Sequence, residues 1–241
     1  MKENLYVVAH RGLSSEAPEN TYNSFDLAIS KGCKYIEFDV QLTNDQEVVI
    51  IHDETIDRTS NGSGKVNDKN LDELLTYDFG SWFSSEFKDS RIPKFSEVLE
   101  KYHNVNFVVE IKGKEIDLVE RVMENIKSHN FWKNKIYKSK NIEPKITFCS
   151  FLPEQLIKLR DYSDDIVVGF LVKIINKDII NFASSINLDG IFPYYKLLTK
   201  ENISKLENFS VSCWGFKKPE EVDRLIGLDI DGVTVDWPDK I

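Results

Sequence analysis

Residues 35–51 read YIEFDVQLTNDQEVVII and contain two apolar runs, Tyr35–Val40 and Val48–Ile51, with the β-branched composition of buried strands. If the second run pairs with the first as a hairpin extension, it does not count as a strand of a parallel sheet. The fold prediction depends on this choice, because it sets the number of parallel strands in the chain.

Other strand-like runs alternate with helical stretches along the whole chain. The further strands are predicted at Leu5–Ala9, Asn106–Ile111, Lys145–Ser150, Ile166–Phe170, Gly190–Pro193, Phe209–Cys213 and Gly232–Val235. Helices are predicted at Thr21–Lys31, Lys114–Ser128, Pro153–Asp161, Lys177–Ile186, Thr199–Glu207 and Pro219–Leu228. Strands this apolar on both faces are typical of a covered parallel sheet. With Val48–Ile51 as a hairpin extension, eight β/α units remain, which predicts an α/β protein with the TIM (β/α)8 barrel fold.

The segment from Asp53 to Pro93 breaks the alternation. It begins with a polar, glycine-containing stretch at Thr59–Gly64 and later carries Trp82, Phe83 and Phe87. A structureless loop of this length would be unusual inside a compact domain. We therefore predict one domain over residues 1–241 with a small folded insertion at about 53–93, which should cover the mouth of the active site.

Length, charge and cysteine content narrow the class of protein. A chain of 241 residues fits a single barrel, and its formal charge of −9 argues against partners that need basic surfaces, such as nucleic acid or anionic lipid. The three separated cysteines favour reduced thiols. Residues 1–4 show no basic and apolar leader, and no apolar run approaches a membrane span. We expect a cytoplasmic monomer or homodimer that acts on a small molecule, without stable membrane anchoring.

Two histidines close strand-like runs. His10 follows Leu5–Ala9, and His52 follows Val48–Ile51. A histidine titrates near neutral pH and can give or take a proton there. Each could instead be a hydrogen-bonded structural side chain, or in the case of His10 part of a surface turn. His103 and His129 lie in polar stretches and are assigned no role.

Carboxylates lie between the two histidines in the sequence and again after them. Glu37 and Asp39 share one face of a strand, where like charges repel unless a cation lies between them, so a divalent ion with oxygen ligands is their natural partner. Glu110 can add a third carboxylate, and Lys112 and Arg11 can neutralise an anion. Taken singly, these residues could also form a solvated edge or an ordinary ion pair.

These residues belong to an ordered set of motifs that spans residues 5 to about 238. The motifs are His10-Arg11-Gly12, Pro18-Glu19-Asn20-Thr21, Glu37-Phe38-Asp39, His52 to Thr59, Glu110-Ile111-Lys112, Phe148-Cys149-Ser150 and Asp231 to Pro238. The set resembles the glycerophosphodiester phosphodiesterase family. The chain departs from the family pattern at Trp214-Gly215-Phe216-Lys217, where Trp-Thr and then Val-Asn are common, and at Asp45-Gln46, where Asp-Gly is common.

The resemblance implies a TIM barrel that cleaves deacylated phospholipids to sn-glycerol 3-phosphate and an alcohol. It implies His10 and His52 as the acid/base pair, Glu37, Asp39 and Glu110 as ligands of one Mg²⁺ or Ca²⁺ ion, and Arg11 and Lys112 as phosphate contacts. Trp214 is the best candidate for a pocket wall. We further predict supporting roles for Glu19, Asn20, Asp53 and Ser150.

Several alternatives stay open from the sequence. Our hypothesis takes His10 as the base and His52 as the acid, and the reverse is possible. The nucleophile is either the glycerol 2-hydroxyl, which gives a cyclic phosphate, or water held by the metal ion. Rival functions are a barrel phospholipase of the sphingomyelinase D or phosphatidylinositol-specific phospholipase C type, a non-catalytic binding protein, and a metal-dependent sugar isomerase.

Overall fold

The computed structural model describes residues 5–139 and 143–241, so the prediction about a leader at residues 1–4 lies outside the described residues. The strands in this part of the chain are β1 Tyr6–His10, β2 Tyr35–Leu42, β3 Val48–Ile50, β4 Asn106–Ile111, β5 Ile146–Ser150, β6 Val167–Val172, β7 Gly190–Pro193, β8 Ser210–Cys213 and β9 Gly232–Val235. The α-helices are α1 Tyr22–Ser30, α2 Leu71–Leu74, α3 Phe95–Lys101, α4 Leu118–Ser128, α5 Pro153–Tyr162, α6 Lys177–Ser185 and α7 Lys200–Ser204.

Eight parallel strands close into a barrel. β1 pairs in parallel with both β2 and β9, and the remaining strands follow from β9 through β4 back to β2. β3 is the exception, since it runs antiparallel to β2 with Val40 opposite Ile50 and Leu42 opposite Val48. The predicted hairpin extension is therefore confirmed, and with it the TIM barrel.

Alternate residues of each strand face either the helices or the barrel interior. The outward residues, such as Ala9 and Val109, join the large apolar cluster beneath the helices. The inward residues form a second cluster of Val8, Val108, Cys149, Leu171 and Phe192, with Tyr6, Tyr35, Phe151 and Trp214 packed against it. This separation follows from the two-residue period of a strand.

The segment after β3 folds around an apolar cluster of its own. Val49 and Ile51 contribute to this cluster from one face of β3, whereas Val48 and Ile50 point to the barrel side. The other members are Ile56, Val66, Leu74, Phe79 and Ile92. As predicted, a folded insertion follows the second barrel strand. Trp82 remains 39% exposed on its surface.

Some helices differ from the sequence prediction. The prediction missed α3, although Phe95, Val98 and Leu99 are buried at helical spacing. The predicted helix at Pro219–Leu228 is a 3₁₀ helix at Pro219–Leu225. At the start of α1 the N-cap is Thr21, whose side chain accepts a hydrogen bond from the Ser24 amide.

The sequence also predicts reduced cysteines and no membrane-spanning segment. Cys33, Cys149 and Cys213 are free thiols. Across residues 5–139 and 143–241, no helix combines the length and the apolar composition needed to span a bilayer.

Candidate active site

The carboxyl ends of β1, β2 and β4 bring the predicted acidic residues together. The strand register places His10 opposite Glu37, and Asp39 opposite Glu110. Glu37, Asp39 and Glu110 are buried, and one carboxylate oxygen from each lies within 4.8 Å of those of the other two. The cluster therefore lies at the end of the barrel where TIM-barrel active sites are found.

The acidic cluster fits a divalent cation. Asp39 Oδ2 accepts a hydrogen bond from Asn20 Nδ2 at 2.9 Å, but the equally buried Oδ1 has no hydrogen-bond partner within residues 5–139 and 143–241. A buried carboxylate oxygen without a partner is costly unless a cation binds it. Three carboxylates also suit the oxygen preference of Mg²⁺ and Ca²⁺.

The protonation tendencies of the three carboxylates differ. Burial, and then the charge of Asp39, raise the pKa of Glu37 well above its usual range and that of Glu110 to about 7. Burial opposes the charge of Asp39 as well, but Arg11, His52 and Lys112 outweigh it and hold the pKa of Asp39 well below its usual range. A divalent cation would favour the charged form of all three.

Two cations face this cluster. The Arg11 guanidinium lies with Nε 3.2 Å from Asp39 Oδ2, and its backbone N–H donates to Glu37 Oε2 at 2.9 Å. The Lys112 ammonium lies 2.8 Å from Glu110 Oε1. Both side chains line the adjacent cavity, so the structure brings the predicted phosphate contacts next to the predicted metal ligands.

Each active-site histidine is held through Nδ1 by an aspartate. His10 Nδ1 lies 2.6 Å from Asp236 Oδ1, and His52 Nδ1 lies 2.5 Å from Asp53 Oδ1. If Nδ1 carries the proton donated to the carboxylate, Nε2 is left to exchange a proton with substrate. His10 Nε2 lies 4.0 Å from Glu37 Oε2, at the edge of the acidic cluster. Burial lowers the pKa of His52, and Arg11 and Lys112 add to this effect.

Asp236 is a residue to which the sequence analysis assigned no role. It follows β9 directly, and it also accepts a hydrogen bond from Ser14 Oγ at 3.1 Å. Burial opposes its charge, but the contact with His10 lowers the pKa of Asp236. Its position at a strand end within a motif is visible in the sequence. Its partner is not, because 226 residues separate it from His10.

The cavity beside these groups measures about 830 Å³. Its wall also contains aromatic side chains, among them Phe151 and Trp214, whose rings lie edge to face at 5.2 Å. Trp214 Nε1 donates to the Phe192 carbonyl at 2.9 Å, which fixes the indole. The Lys112 and Lys173 ammonium groups lie 5.5 and 5.4 Å from the centre of the Phe151 ring. The aromatic rings can therefore contact an apolar part of a ligand, and the two ammonium groups can attract an anionic part of it.

The departure at Gly215 has a physical reason. A Cβ atom at this position would lie 2.4 Å from the ring of Tyr194, and the backbone φ is +94°. The Tyr194 ring thus fills the space that a side chain at residue 215 would need. Trp214 itself keeps its place in the cavity wall.

The predicted supporting residues lie just behind the site. Glu19 Oε1 accepts from Arg11 Nη1 at 2.7 Å, and Asn20 and Asp53 hold Asp39 and His52 as described above. Ser150 is buried and donates to the Ile111 carbonyl at 2.7 Å, so it ties β5 to the end of β4. His103 lies elsewhere, with its ring stacked on Phe131 at 4.5 Å.

Known proteins resemble this chain in sequence and in fold. Residues 10–240 match the model of the glycerophosphoryl diester phosphodiesterase family. The glycerophosphodiester phosphodiesterase of Caldanaerobacter subterraneus subsp. tengcongensis is 31% identical over 242 residues, which cover 98% of this chain and 95% of that protein. An Oleispira antarctica phosphodiesterase, solved with its product sn-glycerol 3-phosphate, superimposes with a TM-score of 0.85 at 27% identity, covering 98% of this chain and 94% of the other. A glycerophosphodiester phosphodiesterase from Agrobacterium tumefaciens gives 0.82 at 26% identity and covers 98% of both chains.

Proposed function

This chain belongs to the glycerophosphoryl diester phosphodiesterase family, and from that premise we propose that it hydrolyses glycerophosphodiesters to sn-glycerol 3-phosphate and an alcohol with one bound divalent cation. The observation that carries the proposal is a cluster of three buried carboxylates in which Asp39 Oδ1 accepts no hydrogen bond from the described residues, with Arg11 and the Lys112 ammonium, 3.9 Å from this oxygen, beside it. A cation site beside two anion contacts suits a phosphodiester, which must be bound and polarised at once.

A bound divalent ion would supply electrostatic stabilisation at the phosphoryl group. When bound by Glu37, Asp39 and Glu110, a Mg²⁺ or Ca²⁺ ion would polarise the phosphoryl oxygens and offset the charge that develops on them. Arg11 and Lys112 would also stabilise the negative charge on the phosphoryl oxygens. The guanidinium can contact two of these oxygens at once. Their pairing with the acidic cluster keeps both cations close to the reacting group.

The two histidines would divide the proton transfers. In our proposal, His10 takes at Nε2 the proton of the nucleophile, either water or the glycerol 2-hydroxyl, and Asp236 stabilises the imidazolium that forms. His52 gives its Nε2 proton to the departing alkoxide. If the 2-hydroxyl attacks, a second step follows in which water opens the cyclic phosphate, with the two histidines exchanging roles, and gives sn-glycerol 3-phosphate. A bound phosphodiester anion would counter Arg11 and Lys112, whose charges add to the burial that lowers the pKa of His52.

The decisive experiment is a hydrolysis assay on glycerophosphocholine, glycerophosphoethanolamine and glycerophosphoinositol, with and without a chelator. We expect activity that EDTA abolishes and that Mg²⁺ or Ca²⁺ restores. His10→Ala and His52→Ala should each lower kcat by about 10²- to 10⁴-fold, the usual contribution of acid/base catalysis. His103→Ala is the matched control, since His103 stacks on Phe131 away from the site. Activity that survives both the chelator and the two active-site substitutions would refute the proposal.

Intact phospholipids are the second candidate substrate. Two isoleucines on loops that follow barrel strands, Ile116 after β4 and Ile174 after β6, are 74% and 56% exposed. Exposed apolar loops near an active site can contact a lipid surface. Phosphatidylcholine vesicles therefore form a further arm of the assay. Turnover of vesicles in preference to glycerophosphocholine would replace the proposed substrate class by intact lipids.

A further inference from the structure

We propose that Arg58, in the insertion, is a positioning residue that couples the general acid His52 to the phosphate contact Arg11. The inference rests on the proposed function, because that function assigns the roles of His52 and Arg11. Arg58 belongs to the His52 to Thr59 motif, and it is neither a proposed metal ligand nor a proposed acid, base or phosphate contact. It does not line the 830 Å³ cavity described above, so it acts through other residues.

The Arg58 guanidinium holds two carboxylates at once. Nε donates to Asp53 Oδ2 at 2.6 Å and Nη2 to Asp53 Oδ1 at 3.1 Å. Nη1 donates to Glu19 Oε2 at 2.7 Å and Nη2 to Glu19 Oε1 at 2.8 Å. Both contacts are bidentate, and this geometry depends on the planar fork of arginine. A lysine could not reproduce it, since its ammonium is a single point of charge.

Asp53 links Arg58 to His52. The Asp53 oxygen that accepts from Arg58 Nη2 also lies 2.5 Å from His52 Nδ1. Hydrogen bonding to Arg58 is the main reason why the pKa of Asp53 is lowered to about 2. The carboxylate is therefore charged and fixed in orientation, and it fixes the imidazole plane in turn. In the described part of the chain, Asp236, the partner of His10, accepts its other side-chain hydrogen bond from the neutral hydroxyl of Ser14 and not from an arginine.

Glu19 links Arg58 to Arg11. Glu19 Oε1 accepts both from Arg58 Nη2 and from Arg11 Nη1, the latter at 2.7 Å. The side chains of Glu19 and Arg11 are only 13% and 15% exposed, so water screens their ion pair little. The same Arg11 side chain places Nε beside Asp39 of the metal cluster. One residue of the insertion thus sets the positions of His52 and Arg11, which line the same cavity.

The test compares Arg58→Gln and Arg58→Lys with Arg91→Gln. Arg91 is the matched control, because it lies in the same insertion and its guanidinium donates, among the described residues, to the Tyr77 carbonyl alone. We expect Arg58→Gln to lower kcat/KM for glycerophosphocholine by roughly 100-fold, the size of effect that misplaced catalytic groups produce. Arg58→Lys should recover part of this loss, and Arg91→Gln should leave kcat/KM within about twofold of the wild type.

Double substitutions separate positioning from a general loss of stability. Asp53→Asn should lower mainly kcat, and Glu19→Gln should raise mainly KM. Arg58→Gln combined with Asp53→Asn should cost less than the sum of the two single effects, whereas Arg58→Gln combined with Asp236→Asn should be additive. Additivity in both pairs, or a kcat/KM of Arg58→Gln close to that of the wild type, would overturn the proposal.

An NMR measurement tests the positioning role even if the protein shows no hydrolytic activity. The ¹⁵N resonances of the His52 imidazole report its hydrogen bond to Asp53, and His52→Ala identifies them. Arg58→Gln should shift these resonances and leave those of His10 unchanged. If the wild type hydrolyses none of the substrates but His52 shifts as expected, the proposed function fails while the positioning role stands. If the His52 resonances do not move, the positioning role fails.

Discussion

Asp39 and Glu110 lie opposite each other on β2 and β4, yet their carboxyl groups differ in their tendency to hold a proton. Arg11 and Lys112 both contact Asp39, and together with His52 they stabilise its charge. Glu110 is nearly as deeply buried and faces the negative charge of Asp39, so burial and repulsion raise its pKa to about 7. The cluster without a cation therefore keeps one carboxylate charged and favours the protonated form of its neighbours.

This difference predicts how stability depends on pH in metal-free protein. The folded-state pKa of Glu110, about 7, lies above its ordinary value of 4.5, so the folded state holds this proton more tightly than the unfolded state. The resulting stabilisation is complete below pH 4.5 and is lost as the pH rises through 7. Calorimetry in EDTA should show that the Tm of the wild type falls relative to that of Glu110→Gln between pH 5 and pH 8. A constant difference between the two Tm values would contradict this prediction.

Most strands could be predicted from the sequence because each is a short apolar run with polar or helical segments on both sides. Val48–Ile51 was the hardest of these runs, since its composition alone does not distinguish a hairpin strand from a barrel strand. The helices were less well determined. Residues 219–225 form a 3₁₀ helix with Val222 and Leu225 buried three positions apart, a spacing that an α-helix also allows.

The residues of the candidate site can be predicted where suitable chemistry and a strand end coincide, as they do for His10 and Glu110. The sequence does not contain the contacts that barrel closure creates. Asp236 meets His10 only because β9 pairs with β1, and Arg58 meets Glu19 only because the insertion folds back over the β1–α1 loop. No local pattern reports such distant pairs, since periodicity describes one element at a time.

At the scale of elements, the interior of the barrel depends on two small residues on β6 and β7. A Cβ atom at Gly169 would lie 2.1 Å from the Phe192 ring, and one at Gly190 would lie 2.5 Å from it. Gly169→Ala should therefore lower the free energy of unfolding by about 1–3 kcal/mol through overpacking. Urea denaturation measures this change. Adding Phe192→Leu should restore part of the loss, and a Gly169→Ala variant as stable as the wild type would show that the ring can move aside.

At the scale of the whole molecule, residues 5–139 and 143–241 contain two apolar clusters outside the barrel interior that differ greatly in size. The larger one surrounds the barrel, and the smaller one, around Ile56, Val66 and Phe79, belongs to the insertion. Few apolar contacts make a unit easier to open. The insertion is therefore expected to be the less stable part of the fold.

Hydrogen exchange can test this expectation. The amides of Ile56, Val66 and Phe79 are hydrogen-bonded to backbone carbonyls within residues 54–90. We predict that they exchange through a local opening with a lower free energy than the amides of β4 and β5, because their cluster is small. Mass spectrometry of native-state exchange over a denaturant series provides the measurement. Equal opening free energies in the two regions would show that the insertion unfolds only with the barrel.

The loop between β1 and α1 contains three residues with left-handed backbone conformations, Arg11 at φ +55°, Gly12 at +83° and Asn20 at +56°. Only Gly12 adopts this conformation without a steric penalty, which for other residues is on the order of 1 kcal/mol. Glycine at residue 11 or 20 would relieve that penalty, but it would remove the guanidinium beside Asp39 or the amide that holds it. Because a buried carboxylate that loses a partner costs more than this penalty, glycine at either position is expected to lower stability and activity together, and selection for heat resistance would retain the two left-handed residues.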